Sequence, residues 1–416
     1  MNNKTKIVVV GGGPAGMIAA GTAAGCGCEV MLIEKNKILG KKLLITGKGR
    51  CNLTNACDDV NELIENVTKN SSFLYSAFYS FTNKDTMSFF ENLGVELKVE
   101  RGKRVFPASD KSSTILEALK KYLKDSGVEI IYDTVDKICA ENNCVKGVLA
   151  KRHGFISCDK IILATGGLSY QKTGSTGDGL RFAKDLGHKV VSPVPSLVPL
   201  RVVEKWVPKL QGLSLKNVSV DVYNEKNKKI YSDFGEMMFA HFGITGPIIL
   251  SASAHLRPME QGKYIILIDL KPALDEKQLD LRLLREFENN KNKNIYNCMK
   301  NLLPVKMIDI FLEICGIDAE KKVNSITKAE RKIIIENLKS LKLTIEDFCP
   351  IEQAIVTSGG INVKDINPSA LSSKVVDGLY FAGEIIDVDA YTGGFNLQIA
   401  FSTGYLAGMS AAQNNN

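Results

Sequence analysis

The chain has 416 residues, 44% of them hydrophobic and 24% charged, with a formal net charge of +7. Such a balance excludes a disordered chain, and its scattered Lys and Arg form no basic stripe interleaved with aromatics, so no nucleic-acid partner is expected. Four His in no metal-ligand spacing, and no apolar run of about 18 residues, leave no metal site and no membrane partner to expect.

In chain order, Lys4 and Lys6 before an apolar stretch, with Thr22-Ala23-Ala24 beyond, mimic a signal peptide. Gly11-Gly12-Gly13-Pro14 breaks the would-be apolar helix and removes that reading. Ile7–Val10 reads instead as a buried parallel strand. The Gly-rich turn follows at once and meets G-x-G-x-x-G at Gly11, Gly13 and Gly16, with Pro14 and Ala15 between them. Met17–Gly25 reads as a helix and Glu29–Glu34 as a second strand ending on an acid. Glu34 lies 18 residues after Gly16, near the spacing of about 20 that a dinucleotide fold requires.

The chemistry follows from these residue types. Gly11 permits the tight turn, Gly13 admits the pyrophosphate to the backbone, and Gly16 lets helix and strand pack closely. The helix start offers N–H groups to phosphate. Glu34 accepts from a ribose diol. A 2′-phosphate about 5 Å from it would be repelled by roughly 3 kcal/mol per charge at an effective dielectric near 20. The site therefore suits FAD or NAD, not NADP.

Short strands are predicted at Val128–Tyr132, Val135–Ala140, Val145–Ala150 and Gly154–Ser157. Lys160–Gly167 is a buried-strand run ending in the turn Ala164-Thr165-Gly166-Gly167. Beyond Gly187 the chain turns Pro-rich. Asn217–Tyr223 alternates with Val218, Val220 and Val222 on one face, Lys229–Ser232 returns as a hairpin, and Tyr264–Leu270 is another strand. Asp275 caps a helix to about Asn289. Pro304 and Gly316 bracket a second, and Thr327-x-x-Glu330 is a capping box before Arg331–Leu341.

Cys349 to Thr357 is expected to return to the first sheet. Gly378–Glu384 reads as a strand, with Asp387 after it, leading through Gly393–Gln398 into the small-residue helix Ile399–Ala411. A nicotinamide dehydrogenase has no need of this distant returning element, so FAD is the expected cofactor. The predicted fold is α/β, a discontinuous Rossmann-like FAD-binding domain (1–191 and 350–416) with an inserted domain. The insert divides into a β-rich part (192–272) and a helical part (273–349).

The Gly11–Gly16 turn, the Ala164–Gly167 turn and the Gly378–Gln398 segment resemble the FAD-binding domain of glutathione-reductase-like flavoproteins. That resemblance places the acid of the last segment, Asp387 or Glu384, near the ribityl chain or pyrophosphate. Gly383 precedes it.

A narrower resemblance covers nearly the whole chain. It is carried by Gly40–Asn55, Gly102–Pro107, Thr173–Gly179, Pro195–Leu200, Gly235–Pro247 and Thr357–Gln398. These stretches are similar to the BaiN-like flavoproteins, a bacterial family of NAD(P)- and FAD-dependent oxidoreductases. Ala390 stands where that family usually has Gly, Phe395 where Tyr is usual, and Lys48 where Gly is common. The resemblance implies reduction of a small organic substrate, with a conjugated C=C bond of a bile-acid-like molecule as one target. NADH or NADPH is the implied transient electron donor.

Further site candidates sit in these stretches. Arg50 is a candidate phosphate or flavin contact, Asn52 a flavin hydrogen-bond partner, and Cys51 either a contact or a small packed side chain. Asn396 and Gln398, at a helix start, would stabilise negative charge on reduced flavin, with Gly394 and Leu397 beside them as further cofactor contacts. Lys35, Lys41 and Val135 complete the candidate cofactor contacts. His241 and Tyr170 are the proton-transfer candidates by residue type.

Arg101, Lys103 and Arg104 form a basic cluster that is either an anion contact or a solvated loop. An amine oxidase using O₂ and a flavin-bearing binding protein are the competing functions. Ten Cys without a C-x-x-C pair point to a reducing cytoplasm. The oligomeric state is not legible.

Overall fold

The structure, a computed structural model, describes residues 4–413. Ile7–Val10 carries β-branched side chains on both faces, so it needs cover on both. It becomes the central strand, Lys6–Val10. Glu29–Glu34 and Lys160–Leu163 flank it, both parallel. Glu129–Tyr132 extends one edge and Leu379–Phe381 the other, giving a five-stranded parallel sheet. The helix Pro14–Gly25 joins the first two strands and packs against the C-terminal helix Phe395–Ala412.

One expectation is corrected here. The strand after Cys349, Val356–Ile361, does not join this sheet but pairs antiparallel with Val190–Ser196. That partner contains Pro193 and Pro195, which lack N–H donors and cannot extend a ladder further.

Contacts divide the chain into two units. One comprises residues up to Ser196 and from Pro350 onward, and the other is Leu197–Cys349. The second unit is built on a closed six-stranded barrel. Val218, Val220 and Val222 are buried along Ser214–Tyr223, as their alternation requires. The hairpin return runs from Lys229 to Ala240, well past Ser232.

The capping signals act where they occur. Asp275 closes a capping box on Glu276–Asn289, Gly316 ends Val305–Cys315 in the left-handed region, and Thr327 with Glu330 opens Lys328–Lys339. The end of the predicted helical part is corrected. Leu341–Phe348 is the sixth barrel strand, paired with Ile265–Asp269 and Leu200–Val202. Leu341, Leu343 and Ile345 are buried at every second position, a strand period that the preceding helix obscures in the sequence.

His188 supports the first unit as a neutral side chain. Its Nδ1–H donates to the Ala183 carbonyl at 3.0 Å, and its Nε2 accepts from the Ser373 hydroxyl at 2.8 Å. Burial lowers its pKa from the ordinary 6.5. The unfolded chain therefore takes up a proton at this residue before the folded chain does. Stability is fully present above about pH 6.5 and falls as the pH drops toward the depressed folded value. Melting curves between about pH 7 and pH 5 are expected to show a smaller loss for His188→Asn than for wild type. Equal losses would remove His188 as the cause.

Candidate functional site

In a parallel sheet of this kind a crevice forms outside the carboxyl ends of the strands, where the strand order reverses. A cavity of about 580 Å³ lies there, and its lining begins with Val10–Ala15, Glu34–Asn36, Ala164–Gly166 and Ala382–Glu384. Every lining residue belongs to the first unit.

The Gly-rich turn shapes one wall. Gly11 has φ +109°, and a Cβ there would sit 2.5 Å from the Ala164 carbonyl oxygen. A Cβ on Gly13 would meet nothing within 4 Å, so open space adjoins the helix start. Gly16 is not a lining residue. It acts behind the wall, where a Cβ would lie 1.9 Å from the Gly11 oxygen. The helix Pro14–Gly25 has no side-chain cap and no acid in its first turn. Its leading N–H groups are therefore left for an anion. The helix Phe395–Ala412, starting after Gly394, has the same two properties.

Glu34 is buried, and its carboxylate braces the turn. Oε2 accepts from the Gly12 N–H at 2.8 Å and Oε1 from the Asn36 N–H at 2.7 Å. Oε1 also accepts from Asn36 Nδ2 at 2.7 Å and is filled, so Oε2 is the oxygen with capacity for a further donor such as a ribose hydroxyl. Asp133 and Val135 also line the cavity. Burial works to raise the Asp133 pKa, but the bonds from His153 and from the N–H groups of Arg152, Thr134 and His153 hold it well below the usual carboxylate range.

A strap from Tyr170 to Asp178 crosses to the Glu34 side. The Lys35 ammonium reaches Asp178 at 2.6 Å, Asn36 Nδ2 donates to the Thr173 carbonyl at 3.0 Å, and Lys41 Nζ donates to the Lys172 carbonyl at 2.7 Å. Tyr170, Lys35 and Lys41 all line the cavity. Burial raises the pKa of the Tyr170 hydroxyl above its ordinary value.

Another part of the lining is formed by Thr46–Lys48, Asn52 and Tyr391–Gly394. In the amide orientation that satisfies both of its ends, Asn52 accepts from the Gly394 N–H at 3.1 Å and donates to the Thr54 and Val105 carbonyls at 3.3 Å. Asn396 lines the cavity while its side chain pairs with the backbone of Ala390, accepting from N–H at 3.0 Å and donating to C=O at 2.8 Å. Leu397 is also in the lining. Lys48 has φ +59°, a conformation that favours Gly. Ala390 lies in a short strand beside Val67 and has no left-handed φ.

Several expected contacts lie elsewhere. Arg50 is not a lining residue. Its guanidinium pairs with Glu100 and Asp110 and stacks 4.1 Å over the Phe106 ring. The expected phosphate or flavin contact is thereby corrected to a pairing with two carboxylates. Cys51 is a packed core thiol, pushed up to about 12 by burial.

Asp387 pairs with Lys69 at 2.6 Å, outside the lining, so Glu384 is the acid of that segment within the cavity. Gln398 is buried. Its Nε2 donates to the Phe81 carbonyl at 3.1 Å, and its Oε1 accepts from the Thr54 hydroxyl. His241 lies exposed in the second unit, edge-on to Phe242. Lys103 is held by Asp58 and Glu62, and Arg104 Nε donates to the Arg101 carbonyl.

Sequence reasoning missed Asn36, Lys42, Asp133 and Tyr391 as lining residues. Asn36 had one usable signal, its position two residues beyond Glu34. Lys42 had none, because adjacent lysines are indistinguishable by pattern.

The cavity residues fit FAD. Two uncapped helix starts, the open space at Gly13 and the partnerless buried hydroxyl of Thr165 all await a polar occupant. Gly11–Ala15 would hold the pyrophosphate, Glu34 the adenosine ribose, and the Asn52–Gly394–Leu397 region the flavin ring. Among the described residues, no group of three or more His, Cys, Asp or Glu is placed to hold a metal ion. None of the helices among them is long and apolar enough to cross a membrane.

Comparison with known proteins agrees with this geometry. The family described as HI0933-like protein Rossmann domain matches residues 5–410. The chain belongs to that family. A 3-dehydro-bile acid delta(4,6)-reductase of Clostridium scindens is 31% identical over 98% of this chain and 99% of its own length. A ribosomal RNA dihydrouridine synthase of Haemophilus influenzae is 28% identical over 99% of this chain and 100% of its own. A 3-ketosteroid-delta4-(5alpha)-dehydrogenase of Rhodococcus jostii RHA1 shares the fold. It has a TM-score of 0.54 at 14% identity, covering 99% of this chain and 97% of that one. This HI0933-like protein is thus an FAD-dependent oxidoreductase with the FAD-binding Rossmann fold.

Proposed function

We propose that this HI0933-like protein reduces a C=C bond conjugated to a carbonyl in a small hydrophobic molecule, using electrons from NADH or NADPH. The observation that carries the reading is the full-length similarity to a delta(4,6)-reductase of a 3-dehydro acid, whose name describes a double bond conjugated to a ketone. The dihydrouridine synthase relative is consistent in type, since the uracil double bond is also conjugated to a carbonyl. Bound FAD supplies hydride transfer at the flavin ring.

The chain's residues bind and orient. The uncapped start of the helix Phe395–Ala412 presents N–H groups and a positive dipole end, favouring negative charge on an occupant. Asn52, bonded to Gly394, fixes that helix start against the Thr46–Lys48 turn, since a Cβ on Gly47 would lie only 2.8 Å from the Asn52 nitrogen. Tyr170, a lining residue, is the proton-transfer candidate within the first unit. A cytoplasmic setting suits ten cysteines that are all free thiols.

The test is anaerobic. FAD-loaded protein is mixed with NADH or NADPH, and then with a conjugated dienone steroid acid, with uridine-containing ribosomal RNA, or with O₂. Bleaching by the nicotinamide and fast reoxidation by the dienone is the expected result. Reoxidation by RNA alone moves the substrate to a uracil ring. A flavin that NADH and NADPH do not bleach, and that after anaerobic photoreduction is reoxidised only by O₂ with H₂O₂ release, would establish an oxidase instead.

A further inference from the structure

The cavity contains an apparent contradiction. Glu384 is an anion in a site built for an anion. It follows Gly383, where a Cβ would lie 2.8 Å from the Ala15 Cβ, so the segment sits against the first turn of the pyrophosphate-binding helix. The carboxylate cannot swing away. Oε1 accepts from the Thr357 N–H at 2.8 Å and from the Ser169 hydroxyl at 2.9 Å. Thr357 is itself fixed, its hydroxyl accepting from the N–H groups of Leu168 and Ser169 at 2.7 and 2.9 Å.

Lys42 resolves the contradiction. Its Nζ lies 2.9 Å from Glu384 Oε2 and donates to the Ser169 hydroxyl at 3.1 Å. A Cβ on Gly166 would lie 3.9 Å from both Lys42 Nζ and Glu384 Oε2, which puts the ion pair at the turn after Lys160–Leu163. Lys42 and Glu384 are each about a fifth exposed, and both line the cavity. The pair is therefore shielded enough to matter and open enough to meet the occupant. Burial works to raise the Glu384 pKa, but the charge and hydrogen bond of Lys42, with the Thr357 N–H and Ser169 bonds, hold it below its ordinary value.

We propose that Lys42 is a positioning residue of the cofactor site, whose ammonium neutralises Glu384 so that a fixed carboxylate can stand beside the pyrophosphate of the dinucleotide. The inference rests on the FAD reading of the cavity. Glu384 then serves as a hydrogen-bond acceptor without repelling the cofactor. Lys42 acts through Glu384, and the two residues are coupled.

The test titrates FAD into apoprotein and reads affinity by quenching of flavin fluorescence. Lys42→Met is expected to weaken binding roughly ten- to hundredfold, by exposing the phosphates to an uncompensated carboxylate. Lys42→Arg is expected to bind like wild type, and Lys42→Met combined with Glu384→Gln to recover to within about threefold of it. A direct Lys42–phosphate contact predicts no such recovery. The proposal is overturned if the double variant binds as weakly as Lys42→Met, or if Lys42→Met binds as tightly as wild type. A wild-type chain that takes up no FAD overturns the cofactor reading along with it, so the two failures are distinguishable.

Discussion

Gly16→Ala is expected to yield a protein that retains no FAD through desalting. The added methyl would lie 1.9 Å from the Gly11 carbonyl oxygen and 3.3 Å from the Ala164 Cβ. Neither neighbour can yield cheaply. Gly11 is held at φ +109° with its N–H donated to the Ile33 carbonyl, and Ala164 continues a central strand. The helix start must move instead. Overpacking of this kind costs about 1–3 kcal/mol in stability. The functional loss is larger, because displaced N–H groups no longer converge on the pyrophosphate. An affinity loss of roughly a hundredfold or more is expected, since electrostatic contacts of this kind depend steeply on position. The check is flavin content after gel filtration, with an FAD titration of apoprotein. Stoichiometric flavin and an unchanged Kd would show that the turn tolerates a Cβ and that the close packing is not needed.

Asp389→Ala is expected to lower the stability of the first unit by about 3–5 kcal/mol. Asp389 is 1% exposed, and its carboxylate accepts from three hydroxyls. Ser358 donates to Oδ1 at 2.7 Å, and Ser196 and Thr68 donate to Oδ2 at 2.8 and 3.0 Å. These side chains come from three separate strands, Val356–Ile361, Val190–Ser196 and Val67–Lys69. Truncation leaves a void and removes the carboxylate acceptor of Ser358 and Ser196, while the Thr68 hydroxyl keeps the backbone carbonyl of residue 389 at 2.9 Å. A buried hydroxyl left unsatisfied costs about 1–3 kcal/mol. Asp389→Asn keeps the volume and one acceptor oxygen, so it is expected to recover part of the loss. Urea unfolding followed by near-UV circular dichroism measures both. A loss below about 1 kcal/mol for Asp389→Ala would mean that water or rotated hydroxyls satisfy the site.

The sequence carried the dinucleotide site because its parts are local. A β-branched run, a glycine turn and an acid at the end of the next strand are adjacent in the chain, and each has one physical use. The same holds for the helix caps at Asp275 and Thr327, where a side chain closes on a backbone N–H three residues away. Arg50, Cys51, Asp387 and Gln398 were harder, because their residue type admits both a ligand and an internal partner. Arg50 found two carboxylates and Asp387 found Lys69, and only the folded positions of those partners settle the choice.

On its own, the sequence determined the FAD-binding class, the Gly11–Gly16 turn with Glu34, and the presence of an insert between two parts of one fold. Local backbone chemistry suffices for the turn and Glu34, while the FAD class and the insert rest also on the resemblance of the later segments to known flavoproteins. The tertiary structure alone decided the antiparallel pairing of Val356–Ile361 with Val190–Ser196, the barrel membership of Leu341–Phe348, and the pairing of Lys42 with Glu384 across 342 positions of chain. These depend on which distant groups meet. Period and spacing encode which face a residue occupies, not the identity of the charge or strand waiting opposite it.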